Sequence, residues 1–101
     1  MNATDGRNPF FWVCGTYDGS VEQISGNFGK QSFTVVKLGA GEYEVNVIGA
    51  AHANGTGYPV LLSSSGVNCR VGNQTTTSFI VVSANSSGTA IDGRVHFAVP
   101  L

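Results

Sequence analysis

Few side chains in this sequence have the chemistry of catalysis, and the most suggestive pair is two carboxylates. Glu42 and Glu44 stand two residues apart in a segment that alternates polar and apolar residues, so both point to the same face of a predicted strand. Glycoside hydrolysis needs carboxyl groups on opposite sides of a cleft, one of them in an apolar pocket. We therefore interpret Glu42 and Glu44 as solvated surface charges and not as an acid–base pair.

The remaining candidates for chemistry are two cysteines, Cys14 and Cys69, and two histidines, His52 and His96. Their spacing does not match a zinc site, and no loop holds the cluster of acidic residues that calcium requires. The nucleophile elbow Gly-x-Ser-x-Gly does not occur in the sequence either. A cysteine–histidine pair assembled by the fold remains an open alternative. We predict a protein that is not an enzyme and that uses no metal or other cofactor.

The polar segment 51–57, which leads into Tyr58, is the best candidate for a binding surface. Binding loops commonly lie at the ends of a rigid sandwich. A tyrosine beside an asparagine and a histidine suits a sugar, because the ring offers an apolar face and the amide offers hydrogen bonds. We predict that His52, Asn54 and Tyr58 contact a glycan or receptor. The alternative is that Tyr58 is the first core residue of its strand.

The charge balance excludes some classes of partner. Charged residues make up 11% of the chain, against about 25% in a typical globular protein. The net charge is −1, and no two of the five Lys and Arg residues are adjacent. Phosphate binding needs clustered cations, so we predict no nucleic-acid partner. No apolar run reaches the roughly 18–20 residues of a membrane span, so we also predict no membrane insertion.

Short apolar segments separated by turn residues define the elements that position these groups. Their spacing is about 8–12 residues, and no segment has the period of an amphipathic helix. The predicted strands cover residues 10–17, 20–25, 31–38, 42–48, 58–62, 67–71, 75–84 and 94–99. We predict an all-β fold, an antiparallel, jelly-roll-like β-sandwich of seven or eight short strands. It forms a single domain over residues 10–101, and residues 1–9 form a linker.

Several predicted strands are apolar on both faces, although a lone sandwich has one solvated face per sheet and therefore alternates. These stretches are residues 10–13, 35–36, 60–62 and 79–82. Neighbouring copies of the chain would supply the missing cover, and the low charge content favours this interpretation. We expect Phe11, Trp12, Phe79 and Val81 to lie near such an interface. The alternative is that both faces contribute to one thick core.

A resemblance to a known group of proteins rests on the order of several strand motifs. They are Ser32-Phe33-Thr34-Val35, Gly39-Ala40-Gly41-Glu42-Tyr43-Glu44-Val45, Tyr58-Pro59-Val60, Thr76-Thr77-Ser78-Phe79-Ile80-Val81 and Asp92-Gly93-Arg94-Val95-His96-Phe97-Ala98-Val99. In this order they resemble the C-terminal trimeric β-sandwich modules of phage and large-virus tail fibres and spikes. The likeness covers residues 10–101. The two cysteines and the segment 51–57 depart from the fibre pattern.

This resemblance implies a homotrimeric knob in a virion, outside the host cell, that attaches to a glycan or protein receptor on the host surface. The trimeric jelly rolls of the C1q and tumour-necrosis-factor group look similar at this level. A monomeric carbohydrate-binding module of a larger secreted protein is a further alternative. The segment before Pro9 has neither the basic nor the apolar region of a signal peptide, and we expect the chain to be a piece of a longer protein.

We predict that Cys14 and Cys69 are unpaired, because nothing in the sequence indicates an oxidising compartment. Thiol titration of the denatured, unreduced chain should detect both cysteines. Detection of neither thiol would instead indicate a bridge between two strands.

Overall fold

The fold was analysed in a computed structural model, which describes residues 10–18, 23–25 and 29–101. The described part contains eight β-strands and no helix. The strands are β1 (Phe11–Asp18), β2 (Gln23–Ser25), β3 (Ser32–Gly39), β4 (Glu42–Ile48), β5 (Leu61–Ser65), β6 (Asn68–Gln74), β7 (Ser78–Ala84) and β8 (Arg94–Pro100). It follows that no described segment is a helix with the length and hydrophobicity of a membrane span.

The strands form two four-stranded sheets, which we call the first sheet (order β2-β1-β8-β5) and the second sheet (order β3-β4-β7-β6). All described strand pairs are antiparallel. β8 lies between β1 and β5, and β7 lies between β4 and β6, so strands that are distant in the sequence are neighbours in each sheet. This confirms the predicted antiparallel, jelly-roll-like β-sandwich.

Alternation of side chains builds the core between the two sheets. On β4, Tyr43, Val45 and Val47 are buried, whereas the intervening polar residues are half-exposed, as the sequence pattern predicts. β8 shows the same period with Val95, Phe97 and Val99 inside. The buried apolar residues of the core are Trp12, Val13, Tyr17, Phe33, Val35, Tyr43, Val45, Val47, Tyr58, Phe79, Val81, Val95, Phe97 and Val99. One core therefore holds both sheets together.

Two strands, β5 and β7, begin three residues later than the sequence predicts. β5 begins at Leu61 rather than at residue 58, after a segment that includes Pro59, which has no backbone N–H for a ladder. β7 begins at Ser78, because residues 75–77 form a turn in which the Thr77 N–H donates to Thr75 Oγ1. The predicted linker 1–9 and the first half of the predicted strand 20–25 lie outside the described residues.

The hairpin between β3 and β4 needs a glycine because its turn lies against the rest of the chain. Gly41 has a φ of 66°, which side chains with a Cβ rarely adopt. A Cβ at this position would also collide with the carbonyl oxygens of Ser83 and Ile91. The Gly41 carbonyl accepts a hydrogen bond from the Ser83 N–H at 2.7 Å. Gly41 thus lets the hairpin turn contact the end of β7.

The start of β1 and the end of β8 lie side by side in the first sheet. β1 and β8 are antiparallel, and Phe11 is paired with Pro100. The Leu101 N–H donates to the carbonyl oxygen of Phe10 at 3.1 Å. Residues 10 and 101 therefore leave the first sheet at the same point.

Tyr17 and Tyr58 provide a matched test of buried hydrogen bonding. Both side chains are almost fully buried, but the Tyr58 hydroxyl lies 2.7 Å from the carbonyl oxygens of Thr75 and Ser78, whereas the Tyr17 hydroxyl has no partner among the described residues. Burial also raises the pKa of Tyr17, so it stays a neutral phenol.

We expect Tyr17→Phe to leave the free energy of unfolding unchanged or to raise it by up to about 1 kcal/mol, because an unsatisfied buried hydroxyl is removed. Tyr58→Phe should lower it by about 1–2 kcal/mol, since the one hydroxyl proton that lies between the carbonyl oxygens of Thr75 and Ser78 is lost. Urea denaturation at one fixed protein concentration measures both. Equal destabilisation by the two substitutions would contradict this assignment.

Candidate functional site

The structure places the predicted binding residue His52 inside the protein. Its side chain is buried, and its Nδ1 accepts a hydrogen bond from the Asn54 N–H at 3.0 Å. The ring is therefore the tautomer that carries its proton on Nε2, and that N–H donates to the Pro100 carbonyl oxygen at 2.7 Å. Both ring nitrogens are used within the chain, so neither is available to a ligand.

Tyr58 is likewise a core residue, and it belongs to an aromatic cluster with His52, Trp12 and Phe79. The Trp12 ring centroid lies 5.1 Å from that of His52 and 4.9 Å from that of Tyr58. The Trp12 indole N–H donates to the carbonyl oxygen of Ala50 at 2.9 Å. The prediction that His52 and Tyr58 contact a glycan is therefore wrong for the structure described, and only Asn54 of that trio is exposed.

The predicted interface residues also need correction. Trp12, Phe79 and Val81 are buried between the two sheets of a single chain, so they cannot contact another chain. Phe11 is half-exposed. On β7 the residues of the opposite parity, Ile80 and Val82, point outward and remain half-exposed. β7 is apolar on both faces, but only its outward-facing residues, Ile80 and Val82, are available to a partner.

The predicted solvated carboxylates Glu42 and Glu44 lie on the outer face of the second sheet. Glu44 is paired with Val36 on one side and Ile80 on the other, and its carboxylate accepts a hydrogen bond from the Asn46 amide at 3.4 Å. The two carboxylates share one sheet face and do not stand across a cleft. Among the described residues, no three His, Cys, Asp or Glu side chains gather as metal ligands.

The two cysteines lie on different sheets, and both are free thiols, as predicted. Cys14 points to the outer face of β1, whereas Cys69 packs against the core from β6. Burial raises the pKa of the Cys14 thiol, so it is protonated at neutral pH and is a weak nucleophile. Cys14 therefore lacks the lowered pKa that activates a catalytic thiol.

A cluster of titratable groups that the sequence analysis did not single out surrounds Asp92. Its Oδ2 lies 2.6 Å from the Lys37 Nζ, and its Oδ1 accepts a hydrogen bond from the Gly41 N–H at 2.8 Å. The Lys37 ammonium and then the Gly41 N–H hold the pKa of Asp92 below its ordinary value. Both carboxylate oxygens are engaged, so Asp92 fastens the β3–β4 hairpin to the segment before β8.

One groove lies on the outer face of the first sheet, across β1, β8 and β5. Its volume is about 330 Å³, near the lower end of the roughly 300–1,000 Å³ of small-molecule sites. The outward side chains that line it are Cys14, Thr16, Leu61, Ser63, His96 and Ala98. We define these six residues as the outer groove. It combines an exposed position with a free histidine nitrogen, which the loop 51–57 does not offer.

The groove is organised by strand register. Ala98 on the central strand is directly paired with Cys14 and Leu61, and His96 is directly paired with Thr16 and Ser63. The first set forms an apolar row and the second a polar row. A hydrogen bond joins Thr16 Oγ1 and His96 Nδ1 at 2.7 Å. The sequence showed that His96 and Ala98 share the outward parity of β8, but the neighbours on β1 and β5 follow only from the sheet order.

Comparisons with known proteins add no relative to this description. No family model matches the sequence, and no curated protein and no solved structure matches it. A function must therefore be inferred from the chemistry of the two outer sheet faces.

The Asp92 cluster predicts a stability that depends on pH. Because the folded-state pKa of Asp92 is depressed, its contribution is present above its unfolded pKa of about 4 and is lost as the pH falls through the folded value. We expect Asp92→Asn to be less stable than the natural chain at neutral pH, and the difference to disappear in acid. Urea denaturation at neutral and strongly acidic pH measures it.

Lys37→Met and the double variant complete a cycle that isolates the contact between the two charged groups. The coupling should weaken at high ionic strength, because both side chains are partly exposed to solvent. A stability difference for Asp92→Asn that stays constant across the pH range would contradict the assigned role of the carboxylate.

Proposed function

We propose that this domain is a non-catalytic structural and receptor-binding module, a homotrimer at the end of a viral or phage fibre that attaches the virion to a host cell. The observation that supports it most is the outer face of the second sheet. There the side chains of Val36, Leu38 and Ile48 are 44%, 49% and 56% exposed, and Ile80 and Val82 extend the same face. In an isolated sandwich these apolar side chains would remain exposed to water on the solvated face of the sheet.

Further copies of the same chain are the occupant that this face favours, because its charges are complementary to each other. Arg70 on the edge strand β6 is paired with Val82, which in turn is paired with Glu42. Positive charge therefore lies at one margin of the apolar face and negative charge near its middle. A rotated copy brings the Arg70 of one chain towards the Glu42 or Glu44 of the next, as a closed ring of heterologous contacts requires.

Three of the side chains with catalytic chemistry are engaged in other roles or inactive, which supports a binding function. His52 is hydrogen-bonded through both ring nitrogens, and both oxygens of Asp92 are engaged. Burial keeps Cys14 protonated. Binding to a host glycan or receptor then needs only a surface of suitable shape.

A monomeric carbohydrate-binding module is the second candidate. The outer groove favours it, because the groove is complete within one chain and lies on the sheet opposite the apolar face. The two candidates differ in oligomeric state, since a carbohydrate-binding module does not need to form a trimer.

Light scattering at micromolar concentration should give a mass three times the 10.5 kDa of the chain. Burial of apolar area stabilises the assembly by about 25 cal/mol per Å², and the melting temperature should rise with protein concentration. Val36→Lys places a charge in the apolar face beside Glu44, a partner that favours folding of the single chain. We expect this variant, and Ile80→Lys, to have the mass of one chain.

Ala53→Lys is the matched control, because it adds the same charge at an exposed position in the loop 51–57. It should keep the trimer mass. Circular dichroism checks that each variant retains the β-sheet spectrum. A natural chain that is monomeric, with a melting temperature independent of concentration, would contradict the trimer and leave the carbohydrate-binding module as the better candidate.

A further inference from the structure

The outer groove exists because a small residue occupies the central strand. Ala98 on β8 has only a methyl group, and its direct neighbours Cys14 and Leu61 have longer side chains. Leu61 is 57% exposed and stands beside the depression as an apolar wall. Ala98 forms the floor of the groove and Leu61 forms its wall, and together they offer a ligand an uncharged apolar surface.

The polar end of the groove has one hydrogen-bonding position available. The hydrogen bond between Thr16 Oγ1 and His96 Nδ1 fixes the imidazole through one nitrogen. The other ring nitrogen, Nε2, has no partner within the described residues, and His96 is exposed. The Ser63 hydroxyl lies on the directly paired residue of β5 and is also exposed. This end can therefore donate to or accept from hydroxyl groups.

The lining restricts the charge of the ligand. Among the residues that form the groove there is no Asp, Glu, Lys or Arg, and burial keeps the Cys14 thiol protonated. An ionic ligand would lose hydration without a counter-charge. A purely apolar ligand would cover Thr16, His96 and Ser63 and leave their polar atoms without hydrogen bonds. The remaining class is a neutral molecule with C–H groups on one side and hydroxyl groups on another.

We propose that the outer groove binds a neutral pyranose residue of a host glycan. The C–H face of the sugar lies on Ala98 and Leu61, and its hydroxyl groups bond with His96 Nε2 and with Ser63. The groove is shallow and open, which suits a sugar residue whose glycosidic oxygen continues into a longer chain in solvent. This inference rests on the proposed receptor-binding function and names its ligand class and its site.

Nuclear magnetic resonance titration with methyl β-D-galactopyranoside and methyl β-D-glucopyranoside tests the site. At least one of the two should shift the backbone amide signals of Thr16, His96 and Ala98, with a Kd on the order of 1 mM for a single sugar in an open groove. The methyl glycoside of N-acetylneuraminic acid supplies the anionic comparison. It should bind at least about tenfold more weakly, because the groove has no cation.

Ala98→Leu fills the groove and should weaken binding of the better neutral glycoside at least about tenfold. Its side chain projects outward, so the core is not affected. Leu61→Ala and His96→Ala remove the wall and the free nitrogen, and they keep the experiment decisive if Ala98→Leu does not fold. Thr34→Val is the matched control, since Thr34 is exposed on β3 in the other sheet and its loss should not change affinity.

Three results would overturn the inference: no shift with either neutral glycoside, unchanged affinity in folded Ala98→Leu or Leu61→Ala, or tighter binding of the anionic glycoside. Light scattering on the same samples separates this inference from the assembly. A trimer that binds no neutral sugar rejects the site and keeps the trimer. A monomer that binds sugar in the groove rejects the trimer and keeps the site.

Discussion

The neutral imidazole of His52 is the interaction on which much of the architecture depends. It accepts from the backbone of its own loop and donates to the backbone of β8 at Pro100, so it ties the connection after β4 to the last strand. Trp12 and Tyr58 pack on the ring and exclude water from these hydrogen bonds. A polar group at this depth is stable only when each of its atoms has a partner, and here each has one. At this end of the sandwich, the two ring nitrogens of His52 could have bound a ligand, but both are hydrogen-bonded to the chain itself.

The core and the two outer faces of the sandwich therefore hold different kinds of side chain. The core contains most of the large aromatic residues that the structure describes, including those that look most suited to recognition. The outer face of the second sheet keeps aliphatic residues at its surface, while the outer face of the first sheet has a short apolar row beside a polar one. The proposed assembly face and the proposed ligand groove thus lie on opposite sides of the molecule and do not compete. The low charge content of the chain fits both sides, because neither needs many ions.

The period of side chains along β4 and β8 could be predicted from sequence, because alternation depends only on local geometry. The burial of His52 and Tyr58 could not be predicted from sequence. The polar residues around them suggest a solvent loop, but the Pro100 carbonyl that captures His52 comes from a strand far along the chain. For β7, sequence identified a strand that is apolar on both faces but could not assign the inward parity. The outer groove needs three strands to be neighbours, and their order in the sheet is a property of the whole topology.

The neighbouring positions of residues 10 and 101 have a mechanical consequence. β1 begins where β8 ends, so a pulling force applied between these two residues would load the hydrogen bonds one after another, starting with the bond from the Leu101 N–H to the Phe10 carbonyl oxygen. Such unzipping needs little force at each step. A force applied between residue 10 and the far end of the sandwich would instead pass along β1 and strain many bonds together. A module attached at residue 10 and gripped at the far end is therefore loaded in its stronger direction.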